Sequence, residues 1–270
     1  MSSATAGALA RWTRVPRSLF RLNLAEELQY RGNLIASILG TLFWIATALL
    51  TLGVFFRQTP RLGGWEFWEV VVLLGVFNAL TGLIEAMLRP GIGDLASQVK
   101  NGSLDLVLIK PVDPLGFVSF RHLDIWRFTD VVFGLLLAAY AMFRLGRLPS
   151  FLQVGAFLVT LVSAGVVVYA IWVLLMSLAF WFVSVENLSV LFDSIYEGAR
   201  YPVSAYPGAL RFVFVYLLPI AWTTTVPASA LSGRLGPGVA IIAFGVATLA
   251  MLVTRIVWRL ALRRYTGASG

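Results

Sequence analysis

Long apolar stretches alternate with shorter polar ones along the chain, and six of the apolar stretches reach the length of a membrane span. An α-helix rises about 1.5 Å per residue, so roughly 20 apolar residues cross a hydrocarbon core about 30 Å thick. The predicted spans are residues 34–56, 67–88, 128–143, 151–183, a fifth that starts near residue 210, and 238–258. The pattern therefore predicts an all-α polytopic membrane protein with six transmembrane helices.

The fifth predicted span is interrupted. Pro219 lies within it, and residues 219–236 are rich in Pro, Thr and Ser. Proline removes a helical hydrogen bond and kinks or ends a helix. We therefore predict a broken or re-entrant segment between spans five and six. The whole chain, residues 1–270, is then a single transmembrane domain whose bundle occupies residues 34–258.

The residues before the first span have the pattern of a helix that lies on the membrane surface. Basic amphipathic helices of this kind lie in the membrane interface. We predict such an interfacial helix within residues 1–33; the alternative is a positively charged flank. No apolar stretch with a cleavage site precedes the first span, so no removable signal peptide is expected. The residues that define the two helical faces are Arg17, Phe20, Arg21, Leu24 and Leu28.

Composition supports the membrane assignment and excludes several kinds of site. Hydrophobic residues make up 59% of the 270 residues and charged residues only 13%, whereas a soluble domain has about 45–50% and about 25%. The chain has no cysteine and one histidine, His122. Disulfides, cysteine-based zinc sites and paired-histidine metal motifs are therefore excluded.

The net charge of +8 would favour binding to either of two anionic partners, nucleic acid or membrane lipid. Lysine and arginine gather on the cytoplasmic side of membrane proteins, so we assign the excess to membrane lipid and expect no nucleic acid. With both termini inside, the cytoplasmic segments carry 16 of the 21 basic residues, among them Arg200 and Arg211. We therefore predict that both termini, including the basic tail 259–270, are cytoplasmic.

The predicted spans contain very few charges. Glu85 and Asp130 lie near the cytoplasmic ends of spans two and three. Ionisable residues deep in a membrane usually mark ion pathways, but these two are close to the interface. They are either helix-end residues that reach water or members of an ion relay. The lack of more deeply buried carboxylates disfavours a transporter driven by protons or sodium.

The polar stretch after span two contains two short amphipathic pieces. The glycine of Asn101-Gly102 favours a left-handed end to the first piece, and Ser103 can cap a second piece that ends at Lys110-Pro111. The apolar face of the pieces must be buried against the chain's own helix ends, the lipid surface or a soluble partner. The residues of the first piece that share one helical face are Ile92, Leu95, Ala96 and Val99.

A nucleotide-binding P-loop is absent from the sequence. A P-loop requires a lysine directly after glycine, and the two lysines, Lys100 and Lys110, follow Val99 and Ile109. Any use of ATP would therefore come through a partner.

Residues 101–111, Asn-Gly-Ser-Leu-Asp-Leu-Val-Leu-Ile-Lys-Pro, resemble the Gly-x-Leu-Asp-x-x-Leu-x-Arg/Lys-Pro segment of type-2 ABC exporter (ABC-2-type) permeases, in a bacterial branch of unassigned substrate. Lys110 stands where arginine is frequent, and both residues are cationic. The resemblance covers essentially the whole chain. Its other parts are Tyr201-Pro202, Tyr206-Pro207, Leu218-Pro219-Ile220-Ala221 and the tail from Trp258.

This resemblance implies the membrane-spanning, non-enzymatic subunit of an ATP-binding cassette exporter in the bacterial cytoplasmic (inner) membrane. It implies a cytosolic P-loop ATPase that binds ATP and Mg, so that this chain binds no cofactor, and a second permease chain, identical or related. Residues 92–110 would be the coupling helix, with Leu104 and Leu108 inserting into a groove of the ATPase. The alternative is that they only cap and end a loop. The implied coupling residues are Ile92, Leu95, Val99, Gly102, Leu104, Asp105, Leu108, Lys110 and Pro111.

Other classes of protein stay open at this point. An ion-coupled secondary transporter, a channel subunit or a non-transporting scaffold subunit would share the apolar pattern. A membrane enzyme is disfavoured, because His122 lies in a polar loop and the aspartates of residues 94–130 form no close pair in sequence. The apolar, aromatic-rich spans suit a lipid-like or amphiphilic cargo, but they suit an ordinary lipid-facing surface equally.

Overall fold

The computed structural model describes residues 31–182, 188–236 and 238–265, and these residues contain many helices and no strand. The all-α prediction is confirmed. The predicted interfacial helix, with Arg17, Phe20, Arg21, Leu24 and Leu28, lies outside the described residues. In chain order the α-helices are α1 (Arg31–Gln58), α2 (Phe67–Leu83), α3 (Arg89–Gly91), α4 (Leu95–Lys100), α5 (Asp105–Leu108), α6 (Pro114–Phe120), α7 (Phe128–Arg144), α8 (Phe151–Ser177), α9 (Leu188–Tyr196), α10 (Gly208–Phe212), α11 (Thr225–Leu231) and α12 (Val239–Arg264).

Single turns of other helix types extend several of these helices. A π-helical turn, Ile84–Leu88, continues α2, and another, Val213–Leu217, continues α10. Five stretches of the described chain are long and apolar enough to cross a membrane, and they begin within a few residues of the predicted spans one, two, three, four and six. These stretches are Gly32–Gln58, Phe67–Lys100, Ile125–Arg144, Phe151–Phe180 and Val239–Arg264.

Helix α2 forms the centre of the bundle and packs very closely against α7. A Cβ atom added at Gly75 would lie 2.5 Å from the backbone oxygen of Gly134, and one added at Gly134 would lie 2.5 Å from the backbone nitrogen of Ala79. The two backbones therefore touch where both helices carry glycine. Small residues allow this close approach between membrane helices, where van der Waals packing supplies much of the attraction.

The bundle has two ends. We call the end that carries residues 89–127 the loop end, and the opposite end, which carries residues 59–66, the turn end. Helix α8 begins at the turn end with a capping box, in which the Ser150 hydroxyl accepts from the Gln153 backbone and the Gln153 side chain accepts from the Ser150 backbone. Helix α2 begins there with the equivalent pair, Glu66 and Glu69.

The structure corrects the predicted fifth span. Helix α9 begins at the loop end, but the residues that follow it reach the turn end. Residues 188–206 therefore cross the bundle, where the sequence prediction placed a cytoplasmic stretch up to residue 209. With the five long helices this makes six crossings in the described chain. The contacts that fix the two ends of this crossing are Asp193 with Arg89 at 2.9 Å, Tyr201 with Phe55 at 6.2 Å between ring centroids, and the Ser204 hydroxyl donating to the Gly63 carbonyl at 2.7 Å.

The bent pair, Gly208–Tyr216 followed by Ile220–Leu231, turns by 71° around Pro219. Its first helix starts just after Ala205, whose backbone lies against Gly63. After its second helix, the Arg234 guanidinium donates to the Gly64 carbonyl at 2.9 Å. Both ends of the pair therefore lie at the turn end. The predicted broken or re-entrant segment is present between the fifth and sixth crossings, but it does not itself make the fifth crossing.

The corrected fifth crossing also corrects the predicted positions of two arginines. The sequence analysis put Arg200 and Arg211 in a cytoplasmic stretch. Arg200 instead lies within the fifth crossing, with its guanidinium 3.9 Å from the ring centroid of Trp44. Arg211 lies in α10, which starts from the turn end. Among the described residues, more basic side chains still lie at the loop end than at the turn end.

Candidate functional site

The segment between Gly91 and Pro111 folds as two short helices joined by a sharp turn. A 3-10 turn, Ile92–Asp94, leads directly from α2 and α3 into α4. The chain reverses at Gly102, whose φ of +69° lies in the left-handed region that favours glycine. Helix α5 then runs back from Asp105. The predicted left-handed stop at this position is confirmed.

The inner face of this segment is buried by the chain itself. Leu104 has no exposed surface, and neither do Ile92 and Leu95; Val107 is almost as deeply buried. Helix α4 packs against α8 and against the 3-10 turn Leu178–Phe180. Of the three possible covers for the apolar face, the structure selects the chain's own helix ends. The expectation that Leu104 inserts into a partner is wrong, because its side chain is already enclosed.

The outer face of the segment is exposed and differs in composition. Leu106 is 64% exposed and Ile109 is 79% exposed. Lys110 is exposed beside them, with its ammonium 4.1 Å from the ring centroid of Phe117. Sequence analysis did not select Leu106 and Ile109. The only available signal was their spacing of three residues, which puts them on one side of α5 while Leu104 and Val107 share the other side.

The nine predicted coupling residues therefore fall into three groups. Three of them are buried inside the chain and cannot touch a partner in this conformation, four are partly exposed, and two lie fully at the surface. In that order they are Ile92, Leu95 and Leu104; Val99, Gly102, Asp105 and Leu108; and Lys110 and Pro111.

Asp105 connects the segment to the end of the last span. The hydroxyl of Tyr265, one residue beyond α12, lies beside the Asp105 carboxylate, and burial together with this carboxylate raises the pKa of that hydroxyl. The Tyr265 ring packs edge-on against Phe180, at 5.9 Å between centroids, and Phe180 packs in the same way against Trp258. The segment is thus attached to the ends of the fourth and sixth crossings.

A second feature is a charged cavity of about 420 Å³ that opens between α1, α2 and α9. Arg89 is its central group: its Nε donates to Glu85 at 2.8 Å and its Nη2 donates to Asp193 at 2.9 Å. Nearby, the Asp130 carboxylate accepts from the Thr41 hydroxyl. The cavity therefore gathers ionic groups that are more than 100 residues apart in sequence.

The structure places both acidic residues that sequence analysis singled out, Glu85 and Asp130, in the wall of this cavity. Glu85 forms an ion pair with Arg89, and Asp130 lies 3.8 Å from Arg127. Sequence analysis missed Asp193, because it was assigned to a loop rather than to a crossing.

Aromatic rings continue the cavity towards the turn end. The Phe77 and Tyr196 rings stack at 5.3 Å between centroids, and Phe192 stacks on Tyr196 at 5.4 Å. Arg200 lies between Trp44 and the Phe77 ring and forms an ion pair with Glu197. The cavity can therefore offer both charged and aromatic contacts to a solute. Within the described residues, no group of three or more histidine, cysteine, aspartate or glutamate side chains could hold a metal ion.

Comparisons with known proteins agree with this architecture. A family model described as ABC-2 family transporter protein matches residues 42–269, which is most of the chain. No curated protein and no solved structure matches the sequence. The match includes segment 92–111, the last five crossings, the first crossing from residue 42 onwards, and the residues that line the charged cavity except Gly40 and Thr41. The chain belongs to the ABC-2 family of transporter proteins and is a membrane permease of an ABC transporter.

Proposed function

We propose that this chain is one half of the membrane part of an ABC exporter, driven by a separate cytosolic P-loop ATPase that binds ATP and Mg. The observation that carries the proposal is that segment 92–111 has one buried face and one exposed face. Its inner face is fixed to the bundle, and its outer face presents two exposed apolar residues, Leu106 and Ile109, beside the cation Lys110. An exposed apolar patch with a polar rim is typical of a docking surface.

The attachment of the inner face supports a role in coupling. The segment continues from the central helix α2 without a break in helical structure up to Lys100. Its buried residues pack in the same core as α2 and α8. Because a packed core transmits displacement rather than absorbing it, movement of a partner on the outer face would move the ends of these crossings.

A second permease chain, identical or related, would complete the cargo pathway. Helix α1 forms part of the wall of the charged cavity, and apolar side chains along it, such as Leu39, Phe43 and Leu50, are exposed. A second copy packed across α1 in two-fold symmetry would cover these residues and enclose two cavities between the chains. The mixed charges and aromatic rings of the cavity wall favour a polar or amphiphilic cargo.

The loop end would then face the cytoplasm of a bacterium, with both termini on that side of the inner membrane. With six crossings in the described chain, α1 begins and α12 ends at the loop end. The tail residues Arg255, Arg259, Arg263 and Arg264 lie at the loop end or beyond it. Basic residues are retained on the cytoplasmic side during membrane insertion.

The test is to co-purify the chain with the P-loop ATPase encoded beside it, comparing Ile109→Asp with Leu148→Asp. Both residues have exposed, branched aliphatic side chains. Ile109 lies at the loop end, and Leu148, which is 91% exposed, lies at the turn end. Burial of Ile109 at an interface contributes roughly 1.5–3 kcal/mol, so we expect Ile109→Asp to weaken ATPase binding at least tenfold. Leu148→Asp should bind normally. The reverse result would show that both the docking surface and the orientation are wrong.

A further inference from the structure

An apolar groove of about 590 Å³ opens on the outside of the bundle at the loop end, apart from the charged cavity and from the exposed face of segment 92–111. Helices α2, α6, α8 and α12 form its walls. Its volume is in the range of small-molecule sites, and it opens beside the exposed side chains of Phe120 and Val162. The lining residues that matter for the argument are Met87, Phe120, Val162, Gly165, Met251 and Arg255.

Charged side chains that contact one another form the rim of the groove. Asp113 caps α6, because its Oδ2 accepts from the Gly116 backbone at 2.8 Å. The Oδ1 atom of the same carboxylate accepts from Arg255 at 3.5 Å. Asp113 therefore holds the Arg255 guanidinium at the rim while engaging only one of its five N–H donors. About half of the Arg255 side chain remains exposed.

The helical register of α12 sets apolar and basic groups in sequence along one face. Met251, Arg255 and Arg259 are separated by four residues each, so they share that face at steps of about 6 Å. Met251 lines the groove, Arg255 stands at its rim, and Arg259 is exposed one turn further on. An apolar slot below two cations matches the order of an acyl chain and a phosphate in a phospholipid.

We propose that this groove binds an anionic phospholipid of the surrounding membrane, with one acyl chain in the groove and the phosphate on Arg255 and Arg259. Asp113 pairs with Arg255, and Arg259 adds a second cation one turn further along α12, so this end of the groove carries more cations than carboxylates. That excess favours an anionic headgroup over a zwitterionic one. The bidentate donors of arginine suit phosphate oxygens. This proposal does not depend on the ATPase or on the transport cycle.

The test measures lipid binding to the purified chain in detergent by native mass spectrometry, with added phosphatidylglycerol or phosphatidylcholine. A Cβ at Gly165 meets no atom within 4 Å, so Gly165→Leu extends a side chain from an open position of the groove wall and should weaken both lipids about tenfold. Arg255→Gln should weaken phosphatidylglycerol about tenfold and phosphatidylcholine by less, because the choline cation offsets the attraction between its phosphate and the guanidinium. Val162→Trp provides a second way to obstruct the groove from its exposed wall.

The matched controls are Gly155→Leu, at an equally open glycine of the same helix near the turn end, and Arg57→Gln, at an exposed arginine in the last turn of α1. Both should bind phosphatidylglycerol like the unmodified chain. Equal binding by Gly165→Leu and Gly155→Leu would overturn the groove as the site. An equal loss of both lipids in Arg255→Gln, or no preference for phosphatidylglycerol in the unmodified chain, would overturn the assignment of an anionic headgroup.

Discussion

The two ends of the bundle are held together by different chemistry. At the turn end, the Glu69 carboxylate is only 4% exposed and accepts from Arg234, with Arg147 3.8 Å away. Arg234 also donates to the Gly64 carbonyl and lies over the Trp65 ring. One buried carboxylate therefore joins the first turn of α2, the loop before it, and the loops that follow α7 and α11.

At the loop end, apolar residues of segment 92–111 provide the attachment, and the ions are left near solvent. The side chains of Arg89 and Asp193 are each more than one third exposed. Ion pairs in such positions contribute little to stability and are easily exchanged. The comparison indicates a fixed turn end and a loop end whose ionic contacts can rearrange while its apolar anchor stays in place.

The largest expected effect is loss of the apolar anchor in Leu104→Asp. The change removes a fully buried leucine, worth roughly 1.5–3 kcal/mol, and places a carboxylate in an apolar core at a further cost. We expect a loss of at least about 4 kcal/mol, seen as failure to purify a folded chain or a large drop in Tm in detergent.

The matched control is Leu106→Asp in the same helix, since Leu106 is mostly exposed. Its Tm should stay within a few degrees of the unmodified chain. If the two variants lose the same stability, segment 92–111 is not anchored by its inner face, and the contrast with the turn end disappears.

An intermediate effect is expected at the turn end from Glu69→Gln. The amide keeps the shape of the side chain but removes the charge that Arg234 and Arg147 face. Both arginines are partly exposed and can be rehydrated, so we expect a loss of about 1–3 kcal/mol, measured by thermal unfolding. Glu66→Gln, at a half-exposed position of the same capping box, should change the stability by less than about 0.5 kcal/mol. If Glu69→Gln and Glu66→Gln lose the same stability, the Glu69 carboxylate does not hold the turn end together.

The smallest effect is expected from the ion pair at the loop end. A double-mutant cycle with Arg89→Gln and Asp193→Asn should give a coupling energy of about 1 kcal/mol or less, and it should shrink in high salt. The same cycle at Glu69 and Arg234 should give a larger coupling that salt changes less. A larger coupling at the loop end would reverse the comparison between the two ends.

Local sequence signals predicted much of the architecture. The starts of five crossings, the turn at Gly102 and the bend at Pro219 each depend on a few neighbouring residues, so they could be read without tertiary contacts. The fifth crossing could not. The fifth crossing contains Asp193, Glu197 and Arg200, which lower its hydropathy. The hydropathy pattern therefore favours the more apolar stretch after residue 210 as the span.

At the candidate site, too, some features could be predicted from the sequence and others depended on tertiary packing. Sequence identified segment 92–111 and the resemblance that pointed to the family. Helical spacing on a helix as short as α5 defines two faces, but it cannot say which of them is buried, because both carry apolar residues. Packing of α5 against α6, together with the burial of Leu104 in the core, decided that Leu104 faces inwards and Leu106 outwards.

By itself, the sequence determined the membrane class, five of the six crossings and the absence of a P-loop, because each follows from composition or from short-range spacing. Only the tertiary structure decided which segment makes the fifth crossing, and how Glu85, Arg89 and Asp193 meet in one cavity. Ion pairs between distant residues leave no periodic trace in sequence. They form only where the packing of whole helices brings opposite charges from distant parts of the chain within reach of each other.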